Sequence, residues 1–112
     1  MPRRAARVDA NQSEIVDDLR KVGCSIQHLH KEGMGCPDLC VGWRGRNFLF
    51  EVKDPSKPPS ERRLTEMQER WQATWAGQVS VIHSAEDALN IMKNSSVDVP
   101  ILGRVIGDKV VK

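Results

Sequence analysis

Residues 47–53 of this 112-residue chain, Asn47-Phe48-Leu49-Phe50-Glu51-Val52-Lys53, form an extended segment that is apolar on both faces. Phe48, Phe50 and Val52 share one side and Leu49 lies on the other. Such a strand belongs in the interior of a sheet with protein packed on both surfaces. Yet Glu51 and Lys53, two residues apart, point from one face of it. The plain reading of that pair is the polar face of an edge strand, and the apolar flanks argue against it. Ionisable groups embedded there need a functional reason.

A second strand supplies one. Residues 39–43 also read as a strand, and Arg44-Gly45 between them reads as a two-residue turn. Trp43 then faces Arg46, and counting back sets Asp38, which follows Pro37, directly opposite Glu51. Like charges opposite one another destabilise a sheet, whereas a divalent cation between them converts the repulsion into binding. Asp38 and Glu51 are hard oxygen donors suited to Mg2+ or Mn2+, and the backbone carbonyl of Val52 can add a ligand. Lys53 beside the cation can position or deprotonate a water, or stabilise charge developing on a phosphate.

With 29% charged and 39% hydrophobic residues and no low-complexity run, a single folded domain is expected. No apolar stretch approaches the roughly 18 residues of a membrane span. The basic start, with Arg3, Arg4 and Arg7, has no apolar segment behind it as a secretory signal would, so a cytoplasmic protein is expected. A net charge of +2 is too small to imply nucleic acid by itself. Its distribution says more: Lys57, Arg62 and Arg63 join Lys53 in one cluster, and Arg44 and Arg46 sit at the hairpin tip. Arg44, Arg46, Lys57, Arg62 and Arg63 are the candidate DNA contacts. Cys24, Cys36 and Cys40 lack a second close pair for a tetrahedral zinc site and read as small, at least partly buried thiols.

The rest of the pattern predicts an α/β fold. Asn11, Gln12 or Ser13 caps a first helix with Ile15, Val16, Leu19 and Val22 on one side, ended by Gly23. Residues 24–29 read as a strand and 31–37 as a loop. Residues 54–60, with three prolines, read as an exposed loop. Thr65 and Gln68 form a capping-box pattern on a second helix whose Met67, Trp71 and Trp75 are expected to face the sheet. Residues 78–82 are a fourth strand, parallel to the third, and Ser84 caps a last helix. Residues 1–10 read as a basic tail, 11–93 as the domain, and 94–112 as an extension that forms a small hairpin, a swapped arm or a frayed tail.

Two further polar residues are candidates. Glu14 lies out of line with the apolar stripe of the first helix, either reaching the site as an extra metal ligand or through a water, or standing as a solvated glutamate. Gln68 serves the site or its capping box. His28 and His30 alternate on an early strand with no nucleophile placed beside them, and rank lower.

The order of helix, strands carrying Pro-Asp and Glu-x-Lys, then helix and strand resembles the PD-(D/E)XK nuclease superfamily, as a central mixed four-stranded sheet flanked by helices. Gly35-Cys36-Pro37-Asp38-Leu39, Val41-Gly42-Trp43-Arg44-Gly45, Phe50-Glu51-Val52-Lys53, Leu64-Thr65, Gln68 and Trp71 are more specific. Together they resemble the VRR-NUC branch, in particular its minimal stand-alone phage and bacterial members, over about residues 11–92. The resemblance implies Asp38 and Glu51 as the metal pair, Lys53 as the catalytic lysine, Glu14 as the helix glutamate and Gln68 as the helix glutamine. It further implies Mg2+- or Mn2+-dependent hydrolysis of DNA, with four-way (Holliday) junctions as the preferred substrate of a homodimer, in the host cytoplasm if phage-encoded. Glu66 stands where the family tends to carry proline, a departure that a first helical turn tolerates.

Overall fold

Residues 10–95 are described by the structure, a computed structural model. In chain order the elements are α1 (Gln12–Lys21), β1 (Ser25–His28), β2 (Leu39–Trp43), β3 (Arg46–Val52), α2 (Pro59–Arg62), α3 (Glu66–Thr74), β4 (Ser80–Ile82) and α4 (Ala85–Asn94). Arg44 and Gly45 both take positive φ, 52° and 79°, which a tight primed hairpin turn requires. Trp43 therefore pairs with Arg46, and Leu39 with Phe50. The register counted from the sequence holds, and one further pair sets Asp38 opposite Glu51.

The sheet runs β1-β2-β3-β4, with β1, β2 and β3 antiparallel and β4 parallel to β3. β3 is interior, as its two apolar faces require. Phe48, Phe50 and Val52 join Leu39, Val41 and Trp43 in a core closed by Ile15, Val16 and Leu19 of α1 and Ala88 and Met92 of α4. At about 1.5–3 kcal/mol for each large apolar side chain fully buried, this layer holds the domain together. Asn11 starts α1 without capping it through its side chain. Its Nδ2 instead donates to the carbonyls of Lys53 and His83, each at 3.2 Å, and ties the helix to the ends of β3 and β4.

The opposite face departs from expectation. α3 has its capping box, but no residue on it is buried. Met67 and Trp75 are each 46% exposed, and Trp71 and Trp75 stack on one another with centroids 4.5 Å apart. The reason lies under the helix: alternation sends every phenylalanine of β3 to the α1–α4 side and leaves Glu51 and Lys53 beneath α3. Val22, expected on the buried stripe, is 49% exposed because it follows the last turn of α1.

Three local differences follow from side-chain chemistry. The loop after β1 opens with a short 3-10 turn over His30–Glu32, and the proline-rich loop contains α2, with Pro59 in its first turn. β4 is shorter than expected because the side-chain amide of Gln78 continues the ladder in place of backbone. It accepts from the Leu49 N–H at 2.7 Å and donates to the Leu49 carbonyl at 2.9 Å. The basic tail and most of the C-terminal extension expected above lie outside the described residues.

Candidate active site

Asp38 enters where β2 begins. Its carbonyl accepts from the Leu29 N–H at 2.7 Å, and its Oδ2 accepts from the Val52 N–H at 2.8 Å. A carboxylate that holds a backbone N–H is fixed in direction by a charge-assisted bond. The N–H and carbonyl of one strand residue face the same neighbour, so the Val52 carbonyl is directed toward the Asp38 side. Glu51 is 2% exposed and Lys53 7%, both on the face that alternation predicts. Buried charges of this kind persist only when paired and hydrogen-bonded.

Gln68 supplies that pairing. Its Nε2 donates to Glu51 Oε2 at 3.0 Å, and its Oε1 accepts from Lys53 Nζ at 2.9 Å. The same Oε1 accepts from the Thr65 N–H at 2.9 Å, while the Gln68 N–H donates to Thr65 Oγ1 at 3.1 Å. The two roles that the sequence left open for Gln68 are one role: the amide that caps α3 also bridges the carboxylate and the lysine. Lys53 Nζ lies 3.8 Å from Glu51 Oε2, so the amide, not a tight ion pair, fixes the lysine.

Burial pushes the Cys36 thiol up, and the charges of Glu32, Glu51 and Asp38 push it further. Sequence reading made Cys36 a bystander, yet it borders the site. The donors that converge are hard oxygens, and Mg2+ is commonly held by one or two carboxylates with water and phosphate oxygens completing six positions. Asp38, Glu51 and the Val52 carbonyl fit such an ion.

The sequence matches no family model and no curated protein. A solved structure described as a VRR_NUC domain superposes with a TM-score of 0.54, covering 76% of this chain and 92% of that one at 22% identity. The chain has a VRR-NUC-like fold. At that identity the likeness speaks for architecture, and the expected mixed sheet flanked by helices is the one present.

On this VRR-NUC-like core the other candidates separate. Glu14 is exposed on α1, which packs on the face opposite Glu51 and Lys53. Among the described residues no three histidine, cysteine, aspartate or glutamate side chains come together as a metal cage. Glu14 sits in the first turn of α1, whose N-cap residue Asn11 donates to the Lys53 carbonyl at 3.2 Å. His28 and His30 meet edge to face with centroids 5.9 Å apart, on either side of the Leu29 that binds Asp38. Asp54, read only as a loop former, is buried beside Lys53. Hydrogen bonds from the backbone and side chain of Ser56 hold its carboxyl below the usual range. The Asp-Pro-Ser run was the available signal for that turn.

Of the basic residues, Lys57, Arg62 and Arg63 lie on the segment that leaves the site at Lys53 and returns at Gln68. Lys57 approaches Glu61 at 4.0 Å, and Arg62 and Arg63 are exposed. Arg44 and Arg46 belong to the other end of the hairpin, about 17 Å from Asp38 at ~3.4 Å per residue. Arg44 lies over the Trp43 ring at 4.3 Å. Arg46 shares the face of Phe48 and donates to the carbonyls of Ser95 at 2.7 Å and Met92 at 3.2 Å, so it caps α4 and does not belong to the rim of the site. Arg46→Ala should lower unfolding stability by about 1.5–3 kcal/mol and leave DNA affinity unchanged. Denaturant melts beside binding titrations check this; lost affinity at unchanged stability would contradict it.

Proposed function

We propose that this protein is a metal-dependent DNA endonuclease that hydrolyses phosphodiester bonds. The observation that carries the reading is Lys53 held by Gln68 beside Glu51, within a buried hairpin that also delivers Asp38. A bound Mg2+ or Mn2+ would polarise the phosphodiester and generate a nucleophilic water near neutral pH. Asp38, Glu51 and the Val52 carbonyl would hold the ion. Lys53 donates a hydrogen bond to the attacking water or to the oxygen on which charge develops, a role that needs a fixed amine. Gln68 fixes it. Lys57, Arg62 and Arg63 hold the DNA backbone, giving binding that weakens as salt rises.

The substrate reading goes further. The resemblance to stand-alone VRR-NUC proteins favours branched DNA cut by a homodimer. One domain of this size carries one cutting site, and paired incision of a four-way junction needs two sites about a two-fold axis. Trp75, exposed and stacked on Trp71, offers an apolar surface for the second copy. The test is cleavage of a four-way junction, duplex and single strands of the same sequences with Mg2+ or Mn2+, beside sedimentation of the free protein. Preferential, paired incision of the junction by a dimer is expected. Equal cutting of all three would remove junction selectivity, and a monomer would remove paired incision while leaving hydrolysis in place.

A further inference from the structure

Gln68 makes the capping-box bonds and both contacts to Glu51 and Lys53, so whatever fixes the first turn of α3 fixes the site. Buried apolar contacts do not hold that turn, because α3 has no buried residue. What lies against it is the loop that leads to Asp38. Gly35 there has φ +85°, and a methyl group on it would overlap the Met67 carbonyl oxygen. The same methyl would stand 2.7 Å from the Met67 carbonyl carbon and 3.1 Å from the Gln68 backbone nitrogen. Ordinary contact distances are about 3.5–4.0 Å, and the atoms met are backbone, which cannot swing aside. The loop is braced by the Cys36 N–H on the Gly33 carbonyl at 3.0 Å. Two residues beyond Cys36 comes Asp38.

The segment that supplies Asp38 and the helix that supplies Gln68 thus meet at one position without a side chain. We propose that Gly35 is a positioning residue for the reaction. By admitting the backbone of α3 at close range, it sets the depth at which the Gln68 amide reaches Glu51 and Lys53. Thr65 sets the amide's orientation from the other side through the capping box. Gly35 touches neither DNA nor metal in this role and acts through Gln68. The activity readout rests on the nuclease reading above; the position of Gln68 does not.

The test is a cycle of Gly35→Ala, Gln68→Ala and the double variant, measured as single-turnover cleavage at saturating Mn2+, with DNA affinity measured separately. Each single change should slow cleavage by roughly 10–100-fold with little change in affinity, since misplacement of about an ångström is enough for that. The double variant should be within about threefold of the slower single one, because both break the same link. Gly23→Ala, after α1 and outside this loop, is the control: its φ is +96° but nothing lies within 4 Å of the added methyl, so backbone strain is imposed without displacing α3. It should cleave within about threefold of wild type, as expected of a change outside the shared network. Gly35→Ala at the wild-type rate, losses that multiply in the double variant, or an equal loss in Gly23→Ala would each overturn the proposal.

If Gly35→Ala does not fold in a thermal melt, Thr65→Ala and Thr65→Ser carry the test. Alanine should slow cleavage and serine, which keeps the hydroxyl, should restore it; equal rates would overturn the proposal. A second readout is independent of activity. The side-chain amide NMR signals of Gln68 should shift in whichever of Gly35→Ala and Thr65→Ala folds, and stay in place in Gly23→Ala. If wild type cuts no DNA with either metal, the nuclease reading fails, and the Gln68 signals still decide the role of Gly35.

Discussion

Asp38→Asn and Glu51→Gln are each expected to abolish Mn2+ binding and to slow DNA cleavage by about a thousandfold or more. The magnitude follows from the several kcal/mol that a bound cation contributes to the transition state, at 1.36 kcal/mol per tenfold in rate, so that about 4 kcal/mol is a factor of ~10³. Both substitutions keep the shape of the side chain. Asparagine at 38 retains an oxygen to accept the Val52 N–H, and glutamine at 51 retains one to accept from Gln68 Nε2. Loss of the ion is therefore expected without unfolding. Thermal melts separate the two effects: Mn2+ should raise the melting temperature of wild type, by linkage, and leave both variants unmoved. A variant that keeps its Mn2+ response would remove its carboxylate from the site.

The parts legible in the sequence are those that local chemistry fixes. Arg44-Gly45 set a two-residue turn, and period-2 alternation then carried the register as far as Asp38 and Glu51. Ile15, Val16 and Leu19 announced the buried side of α1 in the same way. Periodicity says which residues share a face, however, and not what that face meets. Met67, Trp71 and Trp75 have the spacing of a core stripe, but the sheet under α3 presents Glu51 and Lys53, so the helix rests on hydrogen bonds through Gln68 instead. Arg46 was readable in principle, since alternation puts it on the side of Phe48, Phe50 and Val52 and away from Glu51. Gln78 was not, because a side-chain amide that substitutes for strand backbone has no periodic signature. Gly35 reads from sequence as one loop glycine among several, and only the backbone of α3 against it gives it a task.

Lys53→Ala separates this site from a mere cation pocket. Lys53 is 7% exposed, held at 2.9 Å by Gln68 and 3.8 Å from Glu51, and is not needed as a metal ligand. Its removal should leave Asp38, Glu51 and the ion in place, take away the amine that acts on the water or the developing charge, and slow cleavage by about 10²–10⁴-fold. Lysine differs here from the carboxylates: metal binding is expected to survive its loss.

The most direct measurement is single-turnover cleavage of one DNA substrate by wild type and Lys53→Ala at saturating Mn2+, with Mn2+ and DNA affinities determined on the same preparations. The site assigned here predicts wild-type affinity for both ligands in the variant and a cleavage rate at least about a hundredfold lower. Cleavage by Lys53→Ala at the wild-type rate would contradict it.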